Sequence, residues 1–221
     1  MLFSPIVLPF SMLPAYTLDL RRWQTYLIGI TGMINAGFWS NPRPGTSKEL
    51  KDLYEGIRFV FDLHPREVEG VKSLALEVKT GIDTIDPFIQ EITAEICPTC
   101  ESPNCINAVG RFEWCDLIFF SALGIEVPPF RDGLGDEDPC QFLTEKGCVL
   151  PRTMRPYRCN WWYCEPLLEA FNRWRPRKQR MFISLIQDIT LTRFRMCNQF
   201  KEIHTVVSRM ASNRSLKPAS H

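Results

Sequence analysis

Charge of one sign is missing from this chain. Its 26 basic and 25 acidic side chains leave a formal net charge of +1, which excludes whole-molecule polyelectrolyte behaviour. Long apolar runs are missing too. The first 18 residues carry no charge, but Pro5, Pro9 and Pro14 interrupt them and no basic residue precedes the apolar stretch. That pattern reads against an export signal and against a membrane span. No later stretch reaches 18 uncharged apolar residues, so a cytoplasmic protein with reduced thiols and no membrane contact is expected. There is no phosphate-cradling glycine loop and no serine or cysteine nucleophile beside a local base pattern. Internal repeats and low-complexity tracts are also lacking. Finally, cysteine is nearly missing from most of the chain: 153 of the 221 residues hold only Cys197.

What is there follows from that last absence. The other eight cysteines crowd into the 68 residues from Cys97 to Cys164. A chain of 221 residues with 45% apolar and 12% aromatic side chains can bury its own core. It does not need disulfides to fold. Clustered thiols at short spacings mean metal ligands or a disulfide framework, and a reducing compartment favours metal.

Helical spacing appears on both sides of the cluster. Leu18 to Phe38 reads as a helix with Trp23, Leu27 and Ile30 on one stripe. Thr46 and Glu49 form a capping box ahead of Leu50, Leu53, Ile57, Val60 and Phe61. His64-Pro65 ends that helix, with His64 read as a cap and not a ligand. A further stripe runs from Val68 to Val78, and Gly81 is expected to close it. Asp86-Pro87 reads as a fresh helix start for Phe88, Ile89, Ile92 and Ile96, which leads straight into Cys97. Trp114 to Ile125 is a short helix ending near Gly124. Pro166 opens a helical region running to about Ser208, kinked at Pro176, and the last dozen residues read as frayed.

From Pro128 to Cys164 no periodicity is visible, and Gly, Pro and Cys dominate. Such a segment needs cross-links to hold its shape. The expected fold is therefore mainly α with an irregular cysteine-rich insert. Residues 1–95 and 167–221 are helical regions flanking residues 96–166, packed as one compact domain.

Seven thiols are candidate metal ligands: Cys97, Cys100, Cys105, Cys140, Cys148, Cys159 and Cys164. Cys97-Pro98-Thr99-Cys100 brings two sulfurs near one ion, and its turn can aim backbone N–H groups at them. Cys105 adds a third thiol within nine residues. Pro139 before Cys140 and Gly147 before Cys148 are turn chemistry around ligands. The competing reading for each is a buried cysteine acting as a small apolar residue. That reading is preferred for Cys115, which sits in a helix pattern between Trp114 and Asp116, and Cys197 reads as inert.

The order Cys97-x-x-Cys100, Cys105, Cys140-Gln141-Phe142-Leu143, Gly147-Cys148, Arg155-Pro156, Cys159, Cys164 resembles the bacterial cysteine-cluster family of the YkgJ type. That family is described as zinc- or iron-chelating. The resemblance covers about residues 95 to 166. It implies zinc or an iron–sulfur cluster, 4Fe-4S included, held by those seven cysteines. Two departures stand out: Cys105 is followed by Ile106 where the family has an adjacent Cys-Cys pair, and Leu150 stands where it carries Tyr. Cys115 is the reserve ligand. Seven thiols build one four-ligand site and a three-thiol site with an open position, or one site with passengers. The similar flagellin lysine N-methylases imply a methylation-linked role with S-adenosylmethionine. No glycine-rich nucleotide loop of this chain supports that carry-over.

Residues 152 to 180 hold eight basic side chains against Glu165 and Glu169, interleaved with Trp161, Trp162, Tyr163 and Trp174. Three readings stay open. The segment is a single-stranded nucleic-acid surface, or charge balance for a metal–thiolate centre with Arg155 foremost, or a solvated helix face over core tryptophans. Asp132, Asp136, Glu137 and Asp138 read as a plain solvated turn. Two functional expectations follow. The first is a metal- or cluster-binding protein with a redox or methylation-linked role, acting on an unidentified substrate or protein partner. The second is a structural zinc module that binds nucleic acid or a protein.

Overall fold

The computed structural model describes residues 44–100 and 104–215. The helix expected over Leu18–Phe38 lies outside them, as do the final six residues. Among the described residues the architecture is mainly helical. It comprises α1 (Ser47–Leu63), α2 (Glu69–Ile96), the single turn α3 (Asn107–Gly110), α4 (Trp114–Leu123), α5 (Glu165–Asn172) and α6 (Pro176–Ser215). The only sheet there is a two-residue hairpin, β1 (Leu143–Thr144) against β2 (Gly147–Cys148), antiparallel with Leu143 opposite Cys148.

α1 starts where the sequence places it. Thr46 caps it by accepting the Glu49 N–H at 3.2 Å, and Glu49 reaches back to the Gly45 N–H at 2.7 Å. The glutamate therefore serves the residue before the cap, not the cap itself. Leu50, Tyr54, Ile57, Val60 and Phe61 are its buried stripe. Tyr54 donates to the Ile125 carbonyl at 2.6 Å and fastens α1 to the end of α4. His64 closes α1 with its backbone N–H on the Val60 carbonyl.

α2 corrects two expectations. It neither ends at Gly81 nor restarts at Asp86-Pro87, but runs unbroken for 28 residues with Pro87 inside. An internal proline forfeits one backbone hydrogen bond and costs about 3 kcal/mol. Burial of Val71, Leu74, Ala75, Val78, Ile82, Ile85, Ile89 and Ile92 along one face outweighs that loss. The apolar period continues through the proline, and the core follows it. Gly81 is there for α6: a Cβ at that position would lie 2.5 Å from Ile189 Cγ1. Gly70 meets Gln199 of α6 in the same way. The two helices pack closely along their length.

α4 ends as the sequence requires, with Gly124 left-handed at φ 65°. The C-terminal region is not one kinked helix. α5 stops at Asn172, and Pro176 opens α6, which continues past Ser208 to Ser215. Proline suits a first helical turn, where its missing N–H has no partner to lose.

The core sits between α2, α6, α4 and α5. Phe182 is fully buried and touches Phe88, Tyr163, Phe171 and Trp174. Phe200 stacks on Phe61 at 5.3 Å and meets Trp114 edge-on. Cys115 of α4 and Cys197 of α6 place their sulfurs in bonding contact, with Cα atoms 5.8 Å apart. No described helix is long and apolar enough to cross a membrane.

Candidate metal centre

The segment between α4 and α5 carries little regular structure, and a few charged residues anchor it to the helices. Asp116 is the main anchor. It is buried in the first turn of α4 and accepts from Glu113 N at 2.8 Å, Tyr157 N at 3.1 Å and Arg193 Nη2 at 2.8 Å. Arg193 lies over the Tyr157 ring at 4.7 Å, and Arg158 pairs with Glu113 at 2.8 Å. A second anchor is Arg152, buried and paired through Nε with Asp86 at 2.9 Å. Asp86 therefore positions the insert and does not cap a helix. Burial of such charges is tolerable only when they are paired and hydrogen-bonded, as both sets are.

The acidic loop is not a plain solvated turn either. Asp132 accepts the Ser47 N–H and hydroxyl at the N-terminus of α1, and those bonds hold its carboxyl below the usual range. Asp136 pairs with Arg111 at 2.7 Å. The Asp136 and Asp138 carbonyls accept from Ala108 and Asn107.

These anchors bring the cysteines together. α2 delivers Cys97 as its C-cap, and the 3-10 turn Cys97–Thr99 is closed by the Cys100 N–H on the Cys97 carbonyl. Cys140 N–H donates to the Cys105 carbonyl at 2.8 Å, beside the bridge between Ile106 and Pro139. The Cys140 thiol lies against Gly110, where any Cβ would collide with it. The hairpin then carries Cys148 back, the 3-10 turn Tyr157–Asn160 holds Cys159, and Cys164 caps α5.

The seven predicted thiols neighbour one another along these turns, Cys97 and Cys105 exposed and the other five half-buried, and as thiolates they would repel. Burial first, then neighbouring thiols, push Cys105 up to about 11. Cys159 is pushed up further, by burial and then by Cys140, Cys148 and Cys105. Cys97 is raised by burial, then by Cys164 and Cys100. Backbone N–H groups oppose this at two sulfurs: Phe142 and Leu143 at Cys140, and Leu167 at Cys164. Cys115, the reserve ligand, is not part of the group. Its sulfur is bonded to Cys197 between α4 and α6, which corrects both the reading of Cys115 as core filler and the reading of Cys197 as inert. Among the described residues no three of His, Cys, Asp and Glu stand in ready coordination geometry.

The donor set is all sulfur, the kind a thiophilic metal takes, and a cation would offset the mutual repulsion of its thiolates. Two further observations fit. Asn160, beside Cys159, is fully buried with neither side-chain polar atom bonded, and Trp162 Nε1 is buried and unbonded as well. Arg155 is half-buried and donates to the Leu150 carbonyl at 2.9 Å. Burial and Arg152 lower its pKa, while Cys148 and Cys159 act to raise it.

The aromatics of the basic segment are turned inward, while Arg173, Arg175, Arg177 and Arg180 stay exposed. Arg152, Arg158, Arg173 and Lys178 pair with Asp86, Glu113, Glu95 and Glu91. Trp161 and Tyr163 are buried, and Trp174 packs on Phe88, Phe171, Phe182 and Lys178. What sequence reasoning missed is the anchoring role of Asp116 and Arg193. The capping spacing from Glu113 to Asp116 was a readable signal, but its partner on α6 lies 77 residues away. No family model, no curated protein and no solved structure matches this chain.

Proposed function

We propose that this chain is a metal–thiolate protein, holding zinc or an iron–sulfur cluster through Cys97, Cys100, Cys105, Cys140, Cys148, Cys159 and Cys164. The observation that carries the reading is convergence. Seven thiols from stretches up to 67 positions apart neighbour one another, two exposed and five half-buried, and the chain between α4 and α5 has only a small hairpin and short 3-10 turns of its own. Ligand bonds would supply there the cross-links that backbone ladders do not. The resemblance to the cysteine-cluster family of the YkgJ type points the same way.

Arg155 and the N–H groups of Phe142, Leu143 and Leu167 would balance the negative charge of a bound thiolate set. When bound, zinc would supply Lewis acidity or structural cross-linking, and a cluster would supply one-electron chemistry. A nucleic-acid role is less favoured, because the aromatics needed for base stacking are in the core and half the local basic charge is paired.

The test is anaerobic purification followed by elemental analysis and an absorption spectrum on one sample. Stoichiometric zinc in a colourless sample, or iron with absorbance near ~400 nm, supports the reading and selects the metal. A well-folded protein with neither metal sinks it.

A further inference from the structure

We propose that this chain associates with itself head to tail, the outer face of α1 in one copy docking on the outer face of α6 in the next. The contact uses none of the thiols and does not depend on a bound metal.

Both helices carry a second apolar stripe. Inward, α1 buries Leu50, Ile57 and Phe61, and α6 buries Phe182, Ile186 and Phe200. Outward, Phe59 and Leu63 lie one turn apart on α1 and are 61% and 57% exposed. Met181, Leu191 and Phe194 are the exposed apolar side chains of the outer face of α6. The helical period sets both groups away from the buried stripes. Among the described residues eight large apolar side chains stay exposed, and these five are most of them. Scattered single ones are ordinary, whereas paired stripes mark an interaction surface. Gly56 lies on the same side of α1, where even an added Cβ would meet nothing within 4 Å, so a second helix can approach closely.

Charge identifies the occupant. Arg177, Arg180 and Arg195 are exposed on α6 and enter no ion pair among the described residues, and Asp188 is the only acid between them. The outer side of α1 is the complement, with Asp52, Glu55 and Asp62. Asp62 has no ion-pair partner among the described residues. Asp52 and Glu55 have only the exposed Lys48 and Lys51 one turn away, and such pairs are weak enough to exchange. The stretches match in length as well: Asp52 to Leu63 and Arg180 to Leu191 each span about 16 Å. Within one chain the two faces turn away from each other, because α1 and α6 meet through their inner sides, Phe61 on Phe200. A polyanion such as nucleic acid, or an anionic lipid surface, would suit the arginines but be repelled by α1. A second copy satisfies both faces. The two faces differ, so the contact is heterologous and each pair keeps one free face of each kind.

The experiment is sedimentation of the full-length protein, with reductant present to prevent disulfide exchange between chains. Wild type is expected to gain mass with concentration, from one chain to two and beyond, and to lose the gain at high salt. An α1 variant, Phe59→Gln with Leu63→Gln, and an α6 variant, Leu191→Gln with Phe194→Gln, should each associate at least about tenfold more weakly. Mixed one to one, they should form pairs and nothing larger, because each supplies the face that the other lacks. The single changes Phe59→Gln and Leu191→Gln replace a double variant that fails to fold. A wild type that stays one chain at every concentration overturns the contact. If that chain floats with phosphatidylserine vesicles and the Leu191→Gln variant does not, the α6 face belongs to a lipid surface instead. Variants that associate as well as wild type, or a mixture that forms no pairs, also overturn it.

Discussion

Asp116 shows how one buried carboxylate can hold an irregular segment to a helical frame. It serves three elements at once: its own helix cap, the Tyr157 turn and Arg193 of α6. Removing it strands Arg193, whose side chain is only 11% exposed. Asp116→Ala is therefore expected to lower unfolding free energy by about 3–5 kcal/mol in urea titration, the cost of an uncompensated buried charge. A loss under about 1 kcal/mol would mean that Arg193 finds another partner, with Glu113 the nearest at 3.9 Å. The thiols give a pH dependence of opposite origin. In the metal-free protein Cys105 is raised from 9.0 to about 11, with Cys97, Cys140 and Cys164 raised as well. Between those pH values the unfolded chain has released protons that the folded chain still holds. Stability must fall as pH climbs from about 9 to about 11, and is fully kept below 9. Urea midpoints measured across that range check the slope, and a flat profile would place the thiols in water.

At the scale of elements the decisive contact is α2 against α6. Gly81→Ala gains helix propensity of about 1 kcal/mol, yet its methyl would press on Ile189 at 2.5 Å. Overpacking costs about 1–3 kcal/mol and is expected to win, lowering the melting temperature. Adding Ile189→Ala makes the cycle diagnostic: the same Gly81→Ala change should then stabilise, because its collision partner is gone. This residue also marks the limit of local reading. Apolar spacing located α1, α2 and α4, because burial period and helix period are the same signal. Gly81 and Pro87 look like punctuation in one dimension, and only the packing of a helix a hundred residues later explains them. Pro176 misled in the opposite sense. It starts α6 rather than bending a longer helix, since the three residues before it already leave helical pairing.

For the whole molecule, the cysteine spacing made the seven thiols candidates, but it could not show the contacts that place them, such as the Cys140 N–H on the Cys105 carbonyl and the bridge between Ile106 and Pro139. How each part of the molecule is held sets the response expected to metal removal. The helical frame has its own core in Phe112, Phe120, Phe171, Phe182 and Phe200. Of the cysteines, Cys115 and Cys197 join it, bonded between α4 and α6. The second half of the insert is independently held, through Tyr157 N on Asp116 and Arg152 on Asp86. The first half, from Pro128 to Leu150, is held by the hairpin, by carbonyl contacts, by Asp132 on Ser47 and Asp136 on Arg111, and by Phe142 against Phe112. Stripping the metal with a chelator under reducing conditions should leave far-UV circular dichroism nearly unchanged. Amide exchange should rise by orders of magnitude at Cys140 and Val149, whose partners are the Cys105 and Phe142 carbonyls. Exchange at Tyr157 should stay slow. Cys148→Ser should reproduce the pattern without a chelator, whereas Cys197→Ser, which breaks the tie to Cys115, should leave metal content alone. Uniform acceleration across the helices would instead mean that metal and core form one cooperative unit. The irregular insert would then be part of what folds the protein and not a site mounted upon it.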